Sequence, residues 1–222
     1  MKWRNGTIYL LALGLLFGCS KQDKVETVEV KGVAEVEVIP TIEKALPPEN
    51  SKERTEDITH LMIHFTSNAA VNPKDPYNLD DVYFIFKEYG LSVHYIIDRD
   101  GQIFNLVPEN RVAYHAGKGS LPNLPGYENK LNEFSIGIEL LAIGTKEEML
   151  SMIPEDTYNE IDTSLTGYTD AQYESLHRLI TNIIQRNPTI KNDRQHIIGH
   201  DEYAPGRKTD PGSLFDWKRI GY

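Results

Sequence analysis

The sequence is poor in cysteine, in tryptophan and in positive charge. Its 222 residues hold one cysteine and two tryptophans, and 23 Lys and Arg face 33 Asp and Glu, a formal net charge of −10. The single cysteine, Cys19, rules out an intramolecular disulfide and leaves no thiolate to ligate a metal in the rest of the chain. The acidic balance argues against a nucleic-acid partner, which needs a basic face to neutralise phosphates. Long apolar runs are missing as well. The longest, Ile8 to Phe17, is about half of the ~20 residues that cross a bilayer. What remains has the apolar and charged fractions of a globular protein and the length of one ordinary domain with extras.

The N-terminal stretch stands apart from that domain. Lys2 and Arg4 precede the short apolar run, and Leu16-Phe17-Gly18-Cys19 follows it. This order resembles a bacterial lipoprotein signal. The resemblance implies that residues 1–18 are a signal peptide and that Cys19 is lipidated and becomes the mature N-terminus. An uncleaved membrane anchor is the other reading of the same run, and Phe17 is bulkier than the residue usual at its place. Ser20 suits an anchor in the outer membrane, facing the periplasm. From Ser20 to Asp57 there are six Lys and Arg with ten Asp and Glu, and Pro47-Pro48 closes the apolar part. Alternating Val and Glu could form one edge strand, with little to bury it against. Residues 19–57 therefore read as a lipidated N-terminus and flexible tether.

The folded domain reads as residues 58–222. In ITHLMIHF, Leu61, Ile63 and Phe65 fall on one face and His60, Met62 and His64 on the other. NLDDVYFIFKEYG reads as a helix capped by Asn78 and ended by Gly90. VHYIIDRDGQIFNLV is a hairpin that turns at Asp100-Gly101. FSIGIELLA is a strand whose Ile136, Ile138 and Leu140 face away from Gly137 and Glu139. A second helix starts at Thr169, with Gln172 completing a capping box, and stops before Pro188. RQHIIGH is a last short strand. The order β-α-β-β-β-α-β predicts an α/β fold, a mixed central β-sheet flanked by helices. Residues 145–167 are polar and irregular and read as a long surface insertion.

Glu139 is the least expected residue of this domain. It interrupts an apolar strand that reads as central, where a carboxylate is costly unless it is paired or used. A salt-bridged structural glutamate and a functional one are equally open on that observation. His64 and His200 both end strands, where loops gather to form sites. Two neutral imidazoles and one carboxylate would leave a Zn²⁺ ion an open fourth position, the pattern of catalytic rather than structural zinc. Asp210 follows His200 closely enough for the loop GHDEYAPGRKTDPG to fold back onto one ion. Lys208 precedes Asp210 by two, so in an extended chain its ammonium lies on the same side. His60 and His196 read as packed in strands, His94 as a hairpin residue and His177 as a helical one.

Four segments, LMIHFTS, VHYIIDRDGQIFNLVPENRVAYHAG, NEFSIGIEL and IIGHDEYAPGRKTDPG, together resemble the type-2 N-acetylmuramoyl-L-alanine amidases. That zinc family includes the peptidoglycan recognition proteins. The resemblance spans Ile58 to Trp217 and implies the family's fold, with Zn²⁺ held by His64, His200 and Asp210. It implies Glu139 as the catalytic glutamate and Lys208 as the residue that stabilises the transition state. His115 and Asn132 fall where substrate contacts are expected. The implied reaction is hydrolysis of the amide between N-acetylmuramic acid and L-alanine in peptidoglycan or muropeptides. The implied state is a monomer on a lipid anchor, without nucleic acid. A peptidoglycan-binding lipoprotein without activity is the alternative, and so is a lipoprotein whose zinc is structural. The segment after Leu141 departs from the family's pattern, which leaves substrate preference open.

If Cys19 carries the anchor, Cys19→Ala should leave the chain unprocessed or soluble on membrane fractionation. A variant that still sediments with membranes would dismiss the lipoprotein reading.

Overall fold

Alternation along two strands builds the centre of this domain. The computed structural model describes residues 37–122 and 124–222; the expected signal peptide and Cys19 lie outside them. Eight strands are present among the described residues: β1 (Ile42–Glu43), β2 (Ser51–Glu53), β3 (His60–Thr66), β4 (Tyr95–Ile97), β5 (Ile103–Asn105), β6 (Arg111–Ala113), β7 (Ser135–Leu141) and β8 (Ile197–Gly199). Six of them form one mixed sheet in the order β1-β5-β4-β7-β3-β8, and β2 pairs with β6 apart from it. β7 runs parallel to both β3 and β4, while β4 and β5 form the antiparallel hairpin.

The helices are α1 (Leu79–Glu88), α2 (Leu131–Phe134), α3 (Lys146–Met149), α4 (Glu155–Asn159), α5 (Asp170–Arg186) and α6 (His200–Tyr203). α1 starts where Asn78 Oδ1 accepts the N–H groups of Asp80 and Asp81, the capping arrangement that the sequence predicts. α5 starts at the Thr169–Gln172 capping box with both arms formed. Its Tyr173, Leu176, Leu179, Ile180 and Ile183 bury against Leu61, Ile63, Ile136, Ile138 and Leu140 on one face of the sheet. On the other face Met62 packs with Leu131, Ile198 and Tyr203, and Ile96 packs with Val82 and Phe86 of α1. Both faces are therefore covered, which is why β3 and β7 are buried along almost their whole length. Between α1 and α6 the second face is left open, and there the polar residues gather.

Two expectations need correction. The described part of the expected tether, residues 37–57, is built into the domain. β1 adds to β5, β2 pairs with β6, and Leu46 joins the cluster around Val82 and Phe86. Asn50 is buried, and its amide donates to the carbonyls of Phe86 and Leu91 at the end of α1. The Arg54 guanidinium donates to four main-chain carbonyls, those of Glu109, Arg111, Glu133 and Ser135. Burial lowers its pKa to about 10 against the opposing pull of Glu109 and Glu133. Net charge suggested a solvated segment, but these anchors act through single polar side chains rather than an apolar face. The second correction concerns residues 145–167, which are not irregular. They form α3, α4 and a turn of 3₁₀ helix at Thr163–Leu165, and bury Met149, Ile153 and Ile161 with Phe65, Ala69, Ala142 and Ile143.

Arg54→Ala removes a donor from four main-chain carbonyls and should lower stability by ~3 kcal/mol or more in urea unfolding. A flexible tether would give no change.

Candidate active site

The parallel register of β3 and β7 sets His64 directly opposite Glu139. The next strand places Ile96 opposite Glu139 on its other side, so all three project from the face that α5 does not cover. β8 runs into α6 at His200, and the loop after α6 returns Asp210 to the same place. Nδ1 of His64 and Nδ1 of His200 lie 2.8 and 3.0 Å from Oδ2 of Asp210. One possible ligand atom from each of the three residues falls within 4.8 Å of the others, and all three residues are buried. The expected metal trio is therefore one cluster.

Hydrogen bonds behind the cluster decide which way the imidazoles face. Nε2 of His200 donates to the Ala116 carbonyl at 2.9 Å, so its Nδ1 keeps a lone pair. For His64 the direction is set by a longer chain. The Ser135 hydroxyl donates to the Leu131 carbonyl at 2.6 Å, so Ser135 Oγ accepts from Nε2 of His115 at 3.2 Å. His115 Nδ1 must then accept from His64 Nε2 at 3.0 Å, which again leaves a lone pair on Nδ1. Burial and the neighbouring His200 push His64 down to about 4, and burial and His64 hold His115 well below the usual imidazole range. Both rings are thus neutral near pH 7. Burial raises the Asp210 carboxyl, but the adjacent His200 and His64 outweigh it and keep the group ionised. When neither Nδ1 carries a proton, two lone pairs aim at a carboxylate and repel it unless a cation takes the place of those protons. The donor set fits Zn²⁺ or a similar ion.

Glu139 faces this cluster with Oε2 buried and without a hydrogen-bond partner among the described residues. Burial, with Asp210 adding to it and Lys208 opposing, raises its pKa well above the ordinary carboxyl value. His64, His115, Glu139, His200, Lys208 and Asp210 line a cavity of about 230 Å³ whose other wall is apolar, with Phe65, Ile85, Phe86, Leu91, Met149 and Met152. Asn132, expected beside the substrate, is absent from that lining. Its Oδ1 accepts the main-chain N–H groups of His115 and Ala116, so it shapes the loop behind the metal ligands instead. Gly137 went unread in the sequence although a glycine inside an apolar strand is a signal of close approach. A Cβ there would lie 2.6 Å from Cγ of His115.

Residues 54–213 match the model of the N-acetylmuramoyl-L-alanine amidase family. The chain belongs to that family. The 1,6-anhydro-N-acetylmuramyl-L-alanine amidase AmpD of Haemophilus influenzae is 32% identical over 188 residues, 78% of this chain and 86% of the relative. A crystal structure of AmpD superposes with a TM-score of 0.56 at 29% identity, covering 84% of this chain and 95% of that one. The amidase AmiD of Escherichia coli, solved with the substrate anhydro-N-acetylmuramic acid-L-Ala-D-γ-Glu-L-Lys, gives 0.55 at 28% identity, over 73% of this chain and 56% of AmiD. The expected mixed α/β architecture is the fold of these amidases, and the protein is an enzyme of their class. The other four histidines stay outside the cavity. His60 stacks on His196. His94 Nδ1 accepts from Gly137 N–H, leaving its Nε2 proton for the Arg111 carbonyl.

Glu139 also costs stability. An unfolded glutamate ionises near 4.5 while the folded one holds its proton to higher pH, so folding becomes less favourable as pH rises through that interval. In metal-free protein Glu139→Gln should raise stability at pH 7, a gain that disappears near pH 4. Urea unfolding at both pH values is the measurement, and an unchanged midpoint at pH 7 contradicts this account of the carboxylate.

Proposed function

We propose that the chain is a zinc amidase that cleaves the bond between the lactyl carbonyl of N-acetylmuramic acid and the nitrogen of L-alanine. The observation that carries the reading is the unpartnered Oε2 of Glu139, buried beside His64, His200 and Asp210. A carboxylate oxygen kept free of hydrogen bonds next to a ligand cluster has the chemistry of a proton acceptor. Muropeptides with a 1,6-anhydro sugar are the proposed substrates, supported by the AmpD relative and by the substrate bound to AmiD.

A zinc ion held by His64, His200 and Asp210 would supply Lewis acidity toward the scissile carbonyl oxygen and toward a water. Glu139 accepts the proton of the attacking water at Oε2. As the carbon–nitrogen bond breaks, it returns that proton to the leaving L-alanine nitrogen, so an acid and an amine depart. A raised pKa suits both halves of this exchange, because the group must bind the proton and then release it. The Lys208 ammonium, half-buried on the cavity wall, faces the oxyanion as negative charge develops. His115 has both ring nitrogens engaged, so its contact with substrate is through the ring edge and through shape. The apolar wall receives the sugar's less polar surface. A lipid anchor at Cys19, in the outer membrane and facing the periplasm, belongs to the same proposal and is supported by the order of residues 1–19.

The test joins zinc content, muropeptide affinity and kcat measured on the same preparations. Glu139→Gln should keep its zinc and bind muropeptide while kcat falls by ~10²-fold or more. Lys208→Ala should lower kcat with little change in KM. His64→Ala should lose zinc and turnover together. Native turnover by Glu139→Gln would return that glutamate to a structural role and sink the mechanism.

A further inference from the structure

The segment of residues 145–167 reaches the active-site loop through Glu148. This residue closes the N-terminus of α3: Thr145 N–H donates to Glu148 Oε2 at 2.8 Å, and Glu148 N–H donates to Thr145 Oγ1 at 3.4 Å. The capping box accounts for one carboxylate oxygen. The other, Oε1, accepts the main-chain N–H of Ser213 at 2.6 Å. The carbonyl oxygen of the same residue accepts the hydroxyl of Thr209 at 3.2 Å. Thr209 and Ser213 bracket Asp210, and Lys208 comes just before them. The fit around the contact is close. A Cβ on Gly212 would lie 2.9 Å from both carboxylate oxygens of Glu148, at a φ of +77° that favours glycine.

Two of the three ligands ride on regular elements, His64 on β3 and His200 at the junction of β8 and α6. Asp210 rides on a loop. Its own carbonyl is held by Asp201 N–H at 2.9 Å, and the Pro211 carbonyl accepts the Tyr168 hydroxyl at 2.6 Å. The far side of the loop is held by Glu148. Because Met149, next in the chain, is buried against Phe65 and Ala142, Glu148 is anchored on the core rather than on a mobile surface.

We propose that Glu148 is a positioning residue of the metal site: it clamps residues 209–213 so that Asp210 stays against His64 and His200 and Lys208 stays on the cavity wall. This rests on the zinc reading of the three ligands. Groups that orient a ligand from behind commonly set metal affinity as strongly as the ligands' own surroundings do. The segment that builds the cavity's apolar wall would thus also fix the one ligand that no strand or helix holds.

A zinc titration of the full chain against a chromophoric chelator tests this, with kcat, KM and unfolding of the metal-free form on the same preparations. Glu148→Ala should weaken zinc binding by ~10-fold or more and lower kcat while KM changes little. Thr145→Ala removes a cap of the same helix but leaves Ser213 N–H its acceptor, so zinc affinity should shift by less than ~3-fold. Thr209→Val removes only the hydroxyl arm and should weaken zinc binding by roughly 3-fold or more, which keeps the clamp testable if Glu148→Ala does not fold. Equal losses in Thr145→Ala and Glu148→Ala would mean that helix stability alone is at work, and the clamp would be wrong. Wild-type zinc affinity in Glu148→Ala, or in Thr209→Val should the first not fold, would overturn it as well. A wild-type chain that takes up no zinc would remove the metal site itself, and the clamp with it.

Discussion

The pairing of β3 with β7 couples the core to the chemistry. α5 requires Leu61 and Ile63 on β3, and Ile136, Ile138 and Leu140 on β7, to face it together. Strand geometry then sends the alternate residues, Met62 and His64 with Gly137 and Glu139, to the opposite face. A slip of one residue would exchange the two sets and put a carboxylate into the packing against α5. The register that stabilises the domain is therefore the register that sets His64 beside Glu139. Stability and site geometry come from one constraint.

A second layer orients what the strands place. Asn132 Oδ1 receives the N–H groups of both His115 and Ala116. His115, through its ring, fixes the proton of His64, and the Ala116 carbonyl fixes the proton of His200. One amide oxygen thus stands behind both imidazoles of the cluster. Gly137 is part of the same device, because the His115 ring occupies the space a side chain would take. Such supports hold ligand lone pairs on one point before any ion arrives, which reduces the reorganisation that binding requires.

Much of this was legible in the sequence, and the reason differs from residue to residue. The strand around Leu61 and the helix after Thr169 carry clear periods and caps, and both formed as read. Glu139 was conspicuous because a charge inside an apolar strand is costly. His200, Lys208 and Asp210 stood close together in one short loop segment. Residues 37–57 gave no such signal. Their strands span two and three residues, too short for a pattern, and the weight of the contact falls on Asn50 and Arg54. Polar side chains that anchor through main-chain carbonyls look like solvated ones until their partners are known. The apolar residues of 145–167 were missed because Met149, Ile153 and Ile161 lie on separate short turns with no common period. The roles of Asn132 and Glu148 depend on groups far away in the chain, and no local pattern encodes them.

Two carboxylates in one buried site divide their work through their neighbours. Asp210 touches two imidazoles, and their influence keeps it charged despite burial. Burial, with Asp210 adding to it against Lys208, presses Glu139 toward its protonated form, and its Oε2 has no hydrogen-bond partner among the described residues. Were the two environments alike, both groups would be charged and repel, or both would be neutral and neither would hold a cation. The asymmetry suits the proposed roles, Asp210 as a metal ligand and Glu139 as an acid–base group with raised affinity for a proton. Its source is positional. Asp210 sits at a loop closed by contacts on both sides, and Glu139 sits on a rigid central strand that offers its side chain no partner. The sheet is thus what keeps the Glu139 carboxylate unsatisfied.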